Sequence, residues 1–232
     1  MRVALVAVVL AGGLVPPAAS QSPANSVEPS AFKMSTGAST QLITVRADKS
    51  SSTHAQVRLW TLRQGRWRLV GGPWKARIGW SGFSRLGTGR RRQNTGTTPV
   101  GTYSITQGFG ISANPGKMPW TQVTSKQWWP YDPRDPLTYN RLQQKRLPGA
   151  RWRKGGDWSE HLISYGRQYS YALVINFNTA RPVDTSAGGG IFLHANGSGA
   201  TAGCVSVSKR HVKAIARWLR PQAQPKISMG VG

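Results

Sequence analysis

Cys204 is the only cysteine among 232 residues, and His194 stands ten positions before it in the stretch GGGIFLHANGSGATAGCVSV, residues 188–207. One cysteine cannot form an intrachain disulfide, so its thiol is free. Free cysteines are often inert, packing as small hydrophobes. The alternative is a nucleophile, and the histidine argues for it. An imidazole folded back beside the thiol takes its proton, and an imidazolium beside a thiolate depresses the thiol pKa by several units. His194 could equally be a hydrogen-bonded core residue. Gly203 lets the backbone approach a substrate, and the amides around Cys204 can donate to a tetrahedral oxyanion. Together these residue types suit acyl transfer through a thioester.

Metal chemistry fits less well. His194, Cys204 and His211 could be placed around zinc, but His211 falls in the first turn of an expected helix, and no Cys-x-x-Cys or His-Glu-x-x-His spacing occurs. No metal is therefore expected. His54 lies in a polar turn and reads as surface. His161, beside Glu160, is open between lining a cleft and packing structurally.

The elements that must position these groups read mainly as strands. QLITVRA and AQVRLWTL alternate apolar and polar residues, and a tight connection at 63–65 returns into RWRLVGG, a hairpin. Short strands follow at ARIGW and GTYSIT. Residues 108–160, rich in proline, read as a long irregular segment covering a substrate edge. YALVINFN and GIFLHA look like buried strands, CVSVS a further one, and KISMG a last one. Ser208 caps a helix with Val212, Ile215, Ala216 and Leu219 on one face, ended by Pro221. Trp60, Trp67, Trp74 and Trp80 fall in or beside alternating segments, and most of them read as core or sheet-face residues.

Residues 1–20 combine Arg2, an apolar run ending at Pro16 and Pro17, and a small-residue end at Ala18, Ala19 and Ser20, the pattern of a cleaved secretory signal. The run is shorter than the roughly 20 residues that span a bilayer, so no transmembrane anchor is expected. Residues 21–40 read as a Ser/Pro/Ala-rich flexible tail, leaving 41–232 as one catalytic domain. With 31 Lys plus Arg against 7 Asp plus Glu, the formal charge is +24. Outside the cell, such a field favours anionic wall polymers or acidic headgroups. A solvated surface without a specific ligand is the plainer reading. No nucleic-acid module or repeat is present, so nucleic acid is not an expected partner.

At His194 and at TAGC, Thr201 to Cys204, the sequence resembles the L,D-transpeptidases of the YkuD type. The resemblance extends over residues 40–230 through TPVGTYSITQGFG, WWPYDPRDPLTYNRL, SEHLISYGRQYSYALVINFN and ARWLRP, in the branch where the loop is short and IFLH precedes it. It implies a β-sandwich or barrel-like catalytic domain with one late helix, exported to the cell wall, monomeric and free of cofactors. It further implies that Cys204 attacks the carbonyl between a diamino acid and a terminal D-Ala in a peptidoglycan stem peptide. His194 would serve as base and acid, the Gly203 and Cys204 amides would hold the oxyanion, and Thr201 would orient the histidine. Three places depart from the family pattern. Ala202 stands where many members have His, Ser206 where many have Arg, and Gln93 to Gly96 replace an acidic stretch, leaving the acyl acceptor unassigned. A hydrolase on the same fold remains an alternative, as does a non-catalytic wall-binding protein that would depend on Arg90, Arg91 and Arg92 instead of Cys204.

Overall fold

The computed structural model describes residues 36–84, 91–152, 154 and 158–232. The expected signal segment, most of the expected tail and Arg90 lie outside the described residues. Eleven strands are described: β1 (Gln41–Ala47), β2 (His54–Arg63), β3 (Arg66–Arg77), β4 (Gly101–Gly110), β5 (Trp120–Gln122), β6 (Trp128–Pro130), β7 (Ser159–His161), β8 (Ala172–Ile175), β9 (Phe192–Ala195), β10 (Val205–Val207) and β11 (Lys226–Val231). Helix α1 spans Lys209–Trp218, and tighter 3-10 turns run through Leu162–Ser170 and Pro221–Ala223. The class is mainly β, as the alternation indicated.

Nine strands form one sheet in the order β11-β1-β2-β3-β10-β9-β8-β4-β5, and β11 also pairs with β4. That extra pairing closes the sheet into a barrel-like shape and covers the edge that β11 would otherwise leave open, with β5 remaining at the rim beside β4. The β2–β3 hairpin turns on Gln64 and Gly65, both with positive φ (50° and 72°), the geometry whose twist matches the flanking strands. The Gly71-Gly72-Pro73 run does not end the strand, as the separate reading of ARIGW implied. β3 continues through it to Arg77, with register shifts between Val57 and Leu59 and between Leu59 and Trp60 absorbing the irregularity. Gly72 has φ +88°, and a Cβ there would collide with the Val57 carbonyl, so a bulge at this point requires glycine.

The alternation in β9 and β10 divides side chains between two clusters. Leu193, Ala195, Val205 and Val207 enter the larger core with Ile43, Val57, Ile105 and the buried face of α1. Phe192 and Cys204 enter a second cluster with Phe109, Trp129, Leu162, Tyr169 and Val174. Each such fully buried side chain contributes about 1.5–3 kcal/mol, so the strands that carry the site are held from both faces. Ser208 caps α1 by accepting a hydrogen bond from the His211 amide at 3.2 Å, and Val212, Ile215 and Ala216 are buried.

β9 and β10 are parallel neighbours. Their connection, residues 196–204, contains no helix and is shorter than the dozen or more residues usual between parallel strands. It is docked on the end of β3. The Thr201 amide donates to the Ile78 carbonyl and the Trp80 amide donates to the Thr201 carbonyl, both at 2.8 Å. The segment 108–160 is less irregular than expected, since it supplies β5, β6 and β7. Trp60 is buried and donates to Thr44 Oγ1 at 2.9 Å. Trp80 is the exception among the four, 56% exposed.

Candidate active site

The register places Leu193 beside Val205 and His194 beside Ser206. Cys204, one step earlier, therefore lies beside Phe192, and the Phe192 amide donates to Cys204 Sγ at 3.3 Å. Because side chains alternate along each strand, His194 and Cys204 share one face of the parallel pair, offset by two residues. Both are buried. The thiol donates to the Gly190 carbonyl at 3.2 Å. His194 Nδ1 lies 2.8 Å from the Ala195 carbonyl. A carbonyl only accepts, so Nδ1 carries the proton and Nε2 holds the lone pair. The Tyr169 ring packs edge-on against the imidazole, with centroids 5.4 Å apart.

The thiolate–imidazolium pair expected from the sequence is not the resting state of this site. Burial pushes the Cys204 thiol up to about 12, Glu160 adds to the rise, and the Phe192 amide and Arg91 oppose it. Burial likewise pushes His194 down to about 4, against the pull of its bond to Ala195. Withdrawal from water penalises both charged forms, so the thiol and the imidazole are both neutral at pH 7.

Thr201 and Gly203 do other work than the resemblance implied. Thr201 Oγ1 donates to the Cys204 carbonyl at 2.6 Å and accepts from the Gly203 amide at 3.1 Å. The hydroxyl therefore closes the turn at Cys204 instead of orienting His194, and the Gly203 amide is already engaged. Gly203 has φ +136°, and a Cβ there would lie 2.8 Å from both the Thr97 carbonyl oxygen and Arg91 Nη2. Only glycine fits that backbone without strain.

Arg91 is buried, so it cannot belong to an exposed basic patch with Arg92. Its guanidinium ties three segments together: Nε donates to the Thr97 carbonyl at 2.6 Å, Nη1 to Ala187 at 3.1 Å and Nη2 to Ala202 at 3.2 Å.

Sγ opens into a cleft of about 100 Å³ whose walls include Trp80, Arg91, Gln93, Tyr131, Glu160 and Gly190. The glycine-rich strand entry is fastened from the 108–160 segment. Asn140 Oδ1 accepts from the Gly190 amide at 2.8 Å and from Trp129 Nε1 at 3.0 Å, while Asn140 Nδ2 donates to the Phe177 and Asn178 carbonyls, both at 2.9 Å. Tyr139 donates to Gln93 Oε1 at 2.6 Å, and Gln93 Nε2 donates to the Tyr131 carbonyl at 3.1 Å. Asn140, Gln93 and Glu160 thus lie near Cys204, and residue spacing did not single them out. Asn140 and Glu160 lie in stretches that carry the family resemblance, and Gln93 opens the stretch that departs from it.

The other histidines are elsewhere. His161 stacks on Trp128 at 4.2 Å, and its Nε2 lies 2.9 Å from the Ser125 carbonyl; His211 stacks on Trp74 at 4.4 Å; His54 is exposed. Among the described residues no cluster of three His, Cys, Asp or Glu could hold a metal ion, and no helix is long and apolar enough to cross a membrane.

The barrel-like sheet carries a cysteine and a histidine on one face of paired parallel strands, and the cysteine lines a cleft. The model of the YkuD family, the L,D-transpeptidase catalytic domain, matches residues 45–227, and the chain belongs to that family. Among curated proteins none matches the sequence.

Proposed function

We propose that the chain is an exported L,D-transpeptidase that acts on peptidoglycan stem peptides through a thioester at Cys204. The observation that carries this reading is the shared face of His194 and Cys204, with the lone pair of the imidazole set on Nε2 by the Ala195 carbonyl. As substrate enters, the thiol proton leaves the Gly190 carbonyl for Nε2, and the Phe192 amide stabilises the sulfur as it becomes negative. Sγ attacks the carbonyl between the diamino acid and D-Ala. The C–N bond breaks, and the departing amine takes the proton from His194. The Cys204 amide serves the oxyanion, since the Gly203 amide is held by Thr201. An amine of a second stem then displaces the sulfur, forming the cross-link.

The protein acts as a monomer without a cofactor, and its positive surface holds it among anionic wall polymers.

Mass spectrometry of the protein incubated with a donor tetrapeptide tests the chemistry. An acyl adduct on Cys204 is expected, absent in Cys204→Ser, and formed ~10²–10⁴-fold more slowly in His194→Ala, the range for lost acid–base help. No adduct in the parent protein defeats the thioester reading. Product analysis separates cross-linking from hydrolysis.

A further inference from the structure

Glu160 is the one acidic residue on the wall of the Cys204 cleft. It sits on β7 opposite Trp129. Its Oε2 accepts a hydrogen bond from the Tyr169 hydroxyl at 2.6 Å. Its Oε1 faces Gly190, where an added Cβ would lie 3.6 Å from that oxygen. The Gly190 carbonyl also receives the Cys204 thiol, so carboxyl and nucleophile flank a single glycine.

A chain with 31 basic residues has ample cations, yet among the described residues no Lys or Arg pairs with Glu160; the salt bridge found there joins Arg134 to Asp132. A carboxylate drawn out of water without a cation is costly to ionise. Nothing in the fold requires its charge, because Tyr169 could donate equally well to an amide oxygen. A negative group on the wall of a nucleophile's cleft, without a cationic partner among the described residues, is suited to a cation that arrives from outside. A primary ammonium is compact and has three donors, and a carboxylate receives it well.

We propose that Glu160 is the acceptor-binding residue of the site, receiving the primary ammonium of the second substrate and taking one proton from it beside the Cys204 thioester. This rests on the acyl-enzyme reading above. The ammonium gives one proton to the Glu160 carboxylate and becomes a neutral amine. Its lone pair forms the new C–N bond as the C–S bond breaks. The second proton lost by nitrogen passes through His194 to the departing sulfur, and the Glu160 carboxyl returns its proton to solvent. Burial holds that carboxyl up at about 7, with the Tyr169 bond opposing the rise, a value suited to accepting and releasing a proton near neutrality. The titratable groups facing it are Tyr169, Tyr165 and Cys204.

The test partitions the acyl-enzyme between amide and acid products as Nα-acetyl-lysine amide is raised, in parent and Glu160→Gln proteins, with hydroxylamine as an acceptor uncharged at neutral pH. Glu160→Gln is expected to lower the amide-to-acid ratio about tenfold or more, through a higher KM for the alkylammonium, while hydroxylamine partitions alike in both proteins. An unchanged ratio overturns the proposal. So does an equal loss of hydrolysis and aminolysis, which would make Glu160 an activator of any nucleophile. Failure of a folded Glu160→Gln protein to acylate places the residue in the donor step and also overturns it. Should the variant not fold, the parent alone decides: rates that do not saturate with alkylammonium refute an ammonium site. Absence of any adduct in the parent is a different result, and it sinks the thioester reading itself.

Discussion

Replacing Thr201 by Val tests whether the nucleophile's turn is held by one hydroxyl. Valine matches threonine in shape, so the change removes hydrogen bonds with little alteration of packing. Two bonds go: Thr201 Oγ1 to the Cys204 carbonyl at 2.6 Å, and the Gly203 amide to Thr201 Oγ1 at 3.1 Å. The Cys204 carbonyl keeps a longer contact from Thr98 Oγ1 at 3.4 Å, so its loss is partial, about 0.5–1.5 kcal/mol. Gly203 is buried, and leaving its amide without an acceptor costs about 1–3 kcal/mol. The sum is roughly 2–4 kcal/mol, which in a domain of this size lowers the melting temperature by roughly 5–15 °C. Relaxation of the turn also moves Sγ relative to His194, and a displacement of about 1 Å can slow acylation ~10²-fold. Scanning calorimetry and single-turnover adduct formation measure the two effects, and Thr201→Ser should recover most of both. A Thr201→Val protein that melts within about 1 °C of the parent refutes the account.

Glu160 and His194 should impose opposite pH dependences on stability. The folded protein keeps a proton on Glu160 up to about 7, above the ordinary 4.5, so rising pH through that window destabilises it by about 3 kcal/mol at 1.36 kcal/mol per pH unit. His194 resists protonation down to about 4 in the folded state against an ordinary 6.5, so its contribution is present above 6.5 and is lost as pH falls toward 4, by a similar ~3 kcal/mol. The two slopes offset each other in the parent. Urea unfolding of Glu160→Gln should show stability falling on acidification from 6.5, and His194→Gln the reverse; profiles parallel to the parent's would contradict both burials. Arg91→Lys should cost about 3 kcal/mol in denaturant unfolding, because an ammonium cannot reach the Thr97, Ala187 and Ala202 carbonyls together. A loss under about 0.5 kcal/mol would show that those bonds carry little.

Residue pattern alone determined much of this protein. Alternation in QLITVRA, the turn-forming Gln64 and Gly65, and the Ser208 cap with Val212, Ile215 and Ala216 on one face are local signals, and local signals survive in the chain order. The placement of His194 and Cys204 on neighbouring strands was legible for the same reason, because a ten-residue separation across a glycine-rich loop leaves few ways to arrange adjacent strands. What only the tertiary structure decided involves partners far apart in sequence. The closure of β11 on β4, the burial of Arg91, and the anchoring of Gly190 by Asn140 across fifty residues leave no local period to read. The protonation of the site belongs here too. Spacing suggests that an imidazole will ionise a thiol, but the desolvation that keeps both neutral arises only when Tyr169, Phe192 and Trp129 pack around the face they share.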